Sequence, residues 1–324
     1  MKIAAAILAV FFAIWRGAFL VDFTPETPPV FGVSFAPIQA EYLGLDWRQA
    51  YTVLLDELGV RNLRIAAYWN RLEPVPGRYD FSELDFQMNE AAKRGAKVVL
   101  VVGRRLPRWP ECHVPDWAKS YSELAIQTHI FSLVENVVER YKNHPSLKYW
   151  QVENEPFLTI FGICPEIKRE FVQNEIALVR QLDPSHPLFT TDSGELASWL
   201  RTAHLGDLFG TTMYRSVWHP YLGYVHHTNS IPASYYRLKA FLVGKSADKI
   251  IISELQAEPW APTGLAEASV EEQFKSMDSA FFAQNIKFAQ KTGFPEIYLW
   301  GAEWWYWLKL QGHPEFWEIA QTLF

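Results

Sequence analysis

Two short stretches of this sequence end in side chains that a buried strand would ordinarily exclude. In LKYWQVENEPF (147–157) a run that reads as a strand finishes in Glu153, Asn154 and Glu155. In KIIISELQAEPW (249–260) a more apolar run finishes in Glu254. A carboxylate at the end of a buried strand is either neutralised by a partner or held for use. Two carboxyl groups that flank one bond can hydrolyse a glycoside: one protonates the leaving oxygen, and the other attacks the sugar carbon or activates water. Glu155 and Glu254 are the candidate pair. Glu153 ranks second for the acid/base place because it lies deeper in the strand, and Glu258 reads as a loop ion pair.

The pair needs a scaffold that brings positions a hundred residues apart to one mouth. Short β-rich runs at 30–36, 60–68, 96–102, 147–152, 186–191, 207–214, 249–253 and 296–300 alternate with amphipathic patterns. The helices are expected at 47–59, 82–95, 120–141, 165–182, 194–204, 234–243, 270–292 and 314–322. Strict alternation implies right-handed βαβ units and a parallel sheet. Eight repeats in about 295 residues fit an α/β fold of the (β/α)₈ TIM-barrel type, a single domain over 31–324. An open doubly wound sheet is the competitor, but SFAPIQAEYLGLD carries no Gly-rich phosphate turn after the first strand. In a barrel of this kind, functional residues follow the C-terminal ends of strands. The polar oddities fall there: Trp69 and Asn70, Arg104 and Arg105, Asn154 and Glu155, Asp192 and Ser193, Tyr214 and Arg215, Glu254, and Glu303. Strands four and seven lie nearly opposite, so Glu155 and Glu254 can face one ligand.

Composition narrows the ligand. A net charge of −6 and the lack of a basic stripe argue against nucleic acid. The 14 tryptophans exceed what core packing needs, and indoles stack on the C–H faces of sugars. Trp69, Trp109, Trp260, Trp304 and Trp305 are candidate subsite walls, with packing under the loops as the alternative for each. His219, His226 and His227 have no metal-site spacing, and Ser193 with Asp192 lacks a G-x-S-x-G elbow.

Residues 1–21 carry Lys2 and an apolar run from Ile3 to Trp15, which reads as a signal peptide or an uncleaved membrane anchor. Residues 22–30 read as an extended linker. Export follows as an expectation, to a secreted, periplasmic or membrane-anchored location. The two cysteines then read as a disulfide. Cys112 follows the third strand and Cys164 the fourth, and neighbouring strands set their loops side by side.

The chain resembles the clan A glycoside hydrolases, the retaining (β/α)₈ barrels that include the cellulase-like family 5 and the β-galactosidase family 42. The motifs that carry the resemblance are LRIAAYWNRLEPVPGRYDFSELD (63–85), RYKNHPSLKYWQVENEP (140–156), GTTMY (210–214), IISELQ (251–256) and YLWGAEWW (298–305). It implies that Glu155 is the acid/base and Glu254 the nucleophile. It further implies that Asn154 holds the sugar 2-hydroxyl, Arg64 and Tyr214 support Glu254, and Trp300 is the platform under the reacting sugar. Glu303 grips sugar hydroxyls or pairs with an arginine. The family 5 histidines are missing, because strand three ends VVGRRLP and strand six GTTMYRS. The expectation is a β-glycoside hydrolase acting on carbohydrate without a cofactor or metal, as a monomer. A transglycosylase with the same residues and a non-catalytic sugar-binding barrel are the alternatives.

Overall fold

The computed structural model describes residues 15–324. The strands β1 (Val30–Ser34), β2 (Asn62–Ala66), β3 (Lys97–Val102) and β4 (Leu147–Val152) pair in parallel, in sequence order. Then come β5 (Leu188–Phe189), β6 (Thr191–Asp192), β7 (Phe209–Met213), the hairpin β8 (Ser216–His219) and β9 (Gly223–His226), β10 (Ile250–Gln256) and β11 (Glu296–Trp300). The sheet runs β5-β4-β3-β2-β1-β11-β10-β7-β6. β5 pairs with β4 and β6 with β7, and only Thr190 separates β5 from β6. They form one broken stave, so the nine pieces make the eight-stave barrel that the alternation predicts.

Helices cover most of the outside. Trp47–Asp56 buries Trp47, Ala50, Tyr51, Leu54 and Leu55, the face that the spacing implies. Three boundaries differ for local reasons. The helix before β4 begins at Glu123, because Ser122 caps it by accepting from Ala125 N. The helix after β4 begins at Arg169 rather than 165. The expected helix over 270–292 is two, Val270–Phe274 and Ser279–Gln290, with Asp278 capping the second. The break turns Gln273 inward, where it takes the Trp304 indole N–H and donates to Leu265 O.

One expectation fails. Residues 194–204 form turns and no helix. Trp199 has φ +70°, a left-handed backbone that ends helical continuation. Its buried indole donates to Ser193 O, and Glu195 turns to accept from Tyr214 N. Tertiary contacts thus override the helical pattern in the fifth repeat. The β8–β9 hairpin is an addition that the sequence reading left as loop, and it carries His219 and His226.

The main core lies between staves and helices, with Val33, Leu63, Val98, Leu100, Trp150 and Leu299 facing outward. A smaller layer inside the barrel joins Val99, Phe189, Ile251 and Tyr298. Gly32 makes room for it, since a Cβ there would lie 2.7 Å from the Tyr298 ring. Fully buried polar side chains, Arg64 and Gln151, also face the interior, which is where a site begins.

The proposed signal or anchor occupies 1–21, and residues 1–14 of it lie outside the described residues. Among the described residues no helix is long and apolar enough to cross a membrane. Residues 22–29 form no helix or strand and are docked: Phe23 N donates to Lys291 O, and Arg237 lies over the Phe23 ring.

Candidate active site

Backbone irregularities aim the two glutamates. β10 carries one extra residue against β7, since Ile252 faces Thr211 and Glu254 faces Thr212. Such a bulge re-aims the side chains that follow it. After β4 the chain turns through two left-handed residues, Glu153 at φ +62° and Glu155 at φ +45°. Non-glycine residues persist there only when surrounding contacts hold them. Glu153 is held by Arg104 N and Arg105 N at 2.5 and 2.8 Å. That approach needs Gly103, where a Cβ would sit 2.5 Å from Glu153 Oε1. Glu155 N donates to Thr191 Oγ1 at 2.9 Å. Glu153 is therefore an anchor for the turn, and its carboxylate is turned away from the acid/base place.

Glu254 accepts from Arg64 Nη1 at 2.9 Å and from the Tyr214 hydroxyl at 2.8 Å. Arg64 is itself fixed, with Nε on Gln151 Oε1 and Nη2 on Asn154 Oδ1, both at 2.7 Å. A guanidinium and a phenol thus both donate to this carboxyl and fix its orientation. Glu155 is placed oppositely. Among the described residues its carboxyl has one donor, the Thr212 hydroxyl, on Oε1 at 2.9 Å. Burial, then the charges of Glu254 and Glu111, push its carboxyl well above the usual range, against the Thr212 bond. One proton on the pair therefore resides on Glu155.

Asn154 Oδ1 is saturated by Arg64, by Thr191 Oγ1 at 3.0 Å and by Gln151 Nε2 at 3.3 Å. Its Nδ2 is thereby directed the other way, where Glu111 Oε2 lies at 3.3 Å. Trp300 donates its indole N–H to Glu258, and the Arg108 guanidinium lies 4.0 Å from the ring centroid. One face of the expected platform is thus covered by Arg108. Arg108 also pairs with Glu258 and Glu303. Glu258 is the ion pair that the sequence suggested. Glu303 is fully buried, and its other oxygen accepts from Ala36 N at 2.5 Å. Of its two expected roles, it fills the one that pairs with an arginine.

The tryptophans divide. Trp69 is 2% exposed, bonds Glu73 and packs on Trp117, so it is core rather than a subsite wall. Trp304 and Trp305 are sealed as well, bonding Gln273 and Ala257 O. Trp260 stands edge-on to Tyr214 at 5.6 Å, Phe161 lies 5.3 Å from Trp260, and Trp109 lies 5.7 Å from Phe161. This chain of rings leads from Tyr214, which bonds Glu254, to Trp109, which is 57% exposed. Asn70 is exposed at the rim, and its backbone N–H bonds His113 O.

Gln151, Thr191, Thr212, Arg108 and Glu111 were not singled out from the sequence. Gln151 was visible as an amide inside an apolar strand. Threonines suit any strand, so Thr191 and Thr212 gave no signal. Glu111 and Arg108 lie in an irregular loop whose path no periodicity predicts.

The disulfide joins Cys112 to Cys164 with Cα atoms 5.4 Å apart, as expected from the two adjacent loops. Arg105 ties the same loops, donating to Leu158 O and Phe161 O. The bridge spans 52 residues, and loop-closure entropy gives it about 3–4 kcal/mol. A Cys112→Ser, Cys164→Ser variant should melt roughly 6 °C lower by calorimetry. An unchanged melting temperature would mean that the unfolded chain gains nothing from the break.

The chain is similar to several known proteins. The sequence model of glycoside hydrolase family 42, described as β-galactosidase, matches residues 44–123 and 119–204. That stretch contains Arg64, Asn154 and Glu155 and ends before Glu254. The chain is 27% identical over 174 residues to the β-galactosidase BgaA of Clostridium cellulovorans, which is 47% of this chain and 26% of that protein. It is 30% identical over 122 residues to the β-galactosidase BgaB of a Geobacillus species, 32% of this chain and 18% of that one. The chain thus spans about a quarter or less of these relatives' length. Among solved structures, a GH5_18 protein of Streptomyces cattleya in complex with GlcNAc superposes with a TM-score of 0.60 at 14% identity, over 84% of this chain and 70% of that one. A β-galactosidase of Rahnella sp. R3 gives 0.58 at 14% identity, over 86% and 51%.

Proposed function

We propose, from this chain's membership of the clan A (β/α)₈ glycoside hydrolases, that it is a retaining β-glycosidase. Glu254 is its nucleophile and Glu155 its acid/base. The observation that carries the reading is the unequal setting of two glutamates at the ends of β10 and β4. Arg64 and Tyr214 donate to one. Burial and that neighbour's charge keep the proton on the other.

In the first step Glu254 attacks the anomeric carbon while Glu155 protonates the leaving oxygen, giving a glycosyl ester on Glu254. Esterification removes the negative charge that held the proton on Glu155. Its carboxyl then ionises more readily and takes a proton from the water that cleaves the ester. Tyr214 keeps its own proton throughout, because burial and the Glu254 charge raise its pKa. The ring path Tyr214–Trp260–Phe161–Trp109 supports a β-linked oligosaccharide as substrate, with sugar units beyond the reacting one lying along aromatic faces. The Cys112–Cys164 bridge supports export to an oxidising compartment.

The test is the anomer first released. Proton NMR during hydrolysis of an aryl β-glycoside should show the β-hemiacetal before mutarotation. An α-product at first appearance would exclude a covalent intermediate on Glu254.

A further inference from the structure

The loop after β3 places a third carboxyl in the same mouth. Glu111 is 4% exposed and sits at φ +73°, a left-handed backbone that a glutamate adopts only when its surroundings hold it. The loop after β4 makes way for it: at Gly162 a Cβ would lie 2.8 Å from Glu111 Cγ. Oε2 receives Asn154 Nδ2 at 3.3 Å and faces Arg105 Nε at 3.5 Å. Oε1 takes no hydrogen bond from the described residues, and it is not among the atoms sealed from solvent. A nearly buried carboxyl oxygen that has no protein partner and keeps an opening to solvent is free to bond a polar group that a ligand brings to it.

We propose that Glu111 is a sugar-binding residue, whose Oε1 bonds a hydroxyl of the reacting sugar beside the one that faces Asn154. Three features of the geometry support this. Asn154 immediately precedes the acid/base, and its Nδ2 carries a second hydrogen, beyond the one directed at Glu111, for the sugar being cleaved. Glu111 shares that amide, which puts its free oxygen next along the same ring. Burial and the Glu254 charge, opposed by Arg105, raise its carboxyl to about 8, so near neutral pH it can donate as well as accept. The disulfide beginning at the next residue, Cys112, holds it there.

The inference rests on the glycosidase reading, and one experiment separates the two. Wild type, Glu111→Gln and Glu111→Ala are assayed on an aryl β-glycoside and on its mono-deoxy analogues at each ring hydroxyl. Folding is checked by melting temperature and by an intact Cys112–Cys164 bond. With the parent glycoside, kcat/KM should fall roughly 10–100-fold in Glu111→Ala and less in Glu111→Gln. At one deoxy position wild type and Glu111→Ala should become equal, because the bond that the variant removes has already been lost. Equal losses at every position would mean a packing role only and would overturn the proposal, as would unchanged kcat/KM in both variants. A wild type inactive on all neutral aryl glycosides would instead overturn the glycosidase reading beneath it.

Discussion

Glu254→Ala should lower kcat by about 10⁴–10⁶-fold on every glycoside, because the proposed mechanism places the covalent intermediate on Glu254. The rest of the site should stay in place. Arg64 keeps Gln151, Asn154 and Ser34 as partners after the change. It does lose its buried counter-charge, so a destabilisation of about 3–5 kcal/mol is expected. That loss is measurable by denaturant unfolding and must be shown not to unfold the variant at assay temperature. Azide supplies what was removed, since it is small, anionic and nucleophilic. Added azide should restore turnover of an aryl β-glycoside with a good leaving group, giving the α-glycosyl azide with Glu155 still intact. A folded variant that azide does not revive would remove Glu254 from the nucleophile place. Arg64 and Tyr214 would then be supporting a carboxylate with some other task.

How much of this was legible in the sequence depends on what each residue leans on. The staves were legible because each is a local apolar run, and the bounds of β4 and β11 match the runs LKYWQV and EIYLW. The two catalytic candidates were legible because ionisable residues ended those runs. Arg64 and Tyr214 came from the family resemblance, and both do bond Glu254. The fifth repeat was misread, since the helical spacing of GELASWL is outweighed by the burial of Trp199 and the inward turn of Glu195. Trp69 and Trp304 take the packing alternative kept for each tryptophan, which composition alone could not choose, and their indoles donate to the Glu73 carboxylate and the Gln273 amide oxygen in the core. Glu111 was illegible for a different reason. Its place is set by a left-handed turn, a glycine on another loop and a disulfide, none of which leaves a periodic trace.

Glu155→Ala should fail in a way that depends on the leaving group. A dinitrophenolate departs without protonation, so formation of the glycosyl ester on Glu254 should proceed at close to the wild-type kcat/KM. Hydrolysis of the ester still needs a base, the role proposed for Glu155. The ester should therefore accumulate, seen as a burst of dinitrophenol followed by a slow steady state, with kcat and KM falling together. A substrate with an alkoxide-like leaving group, such as an unactivated disaccharide, should lose kcat/KM by roughly 10²–10⁴-fold. Azide needs no base and should speed the slow step, giving the β-glycosyl azide, the opposite anomer from the Glu254 variant. The pH profile carries the same assignment. Glu155 must be protonated to act as acid, and its pKa is raised by burial and the Glu254 charge. Wild-type kcat/KM on the disaccharide should thus fall on the alkaline side as Glu155 loses its proton. On the dinitrophenyl substrate the fall should be absent in Glu155→Ala. A variant that loses activity equally on both substrates, with the alkaline limb retained, would assign the acid/base role to another carboxyl, and Glu111, which faces Asn154, would be the next to replace.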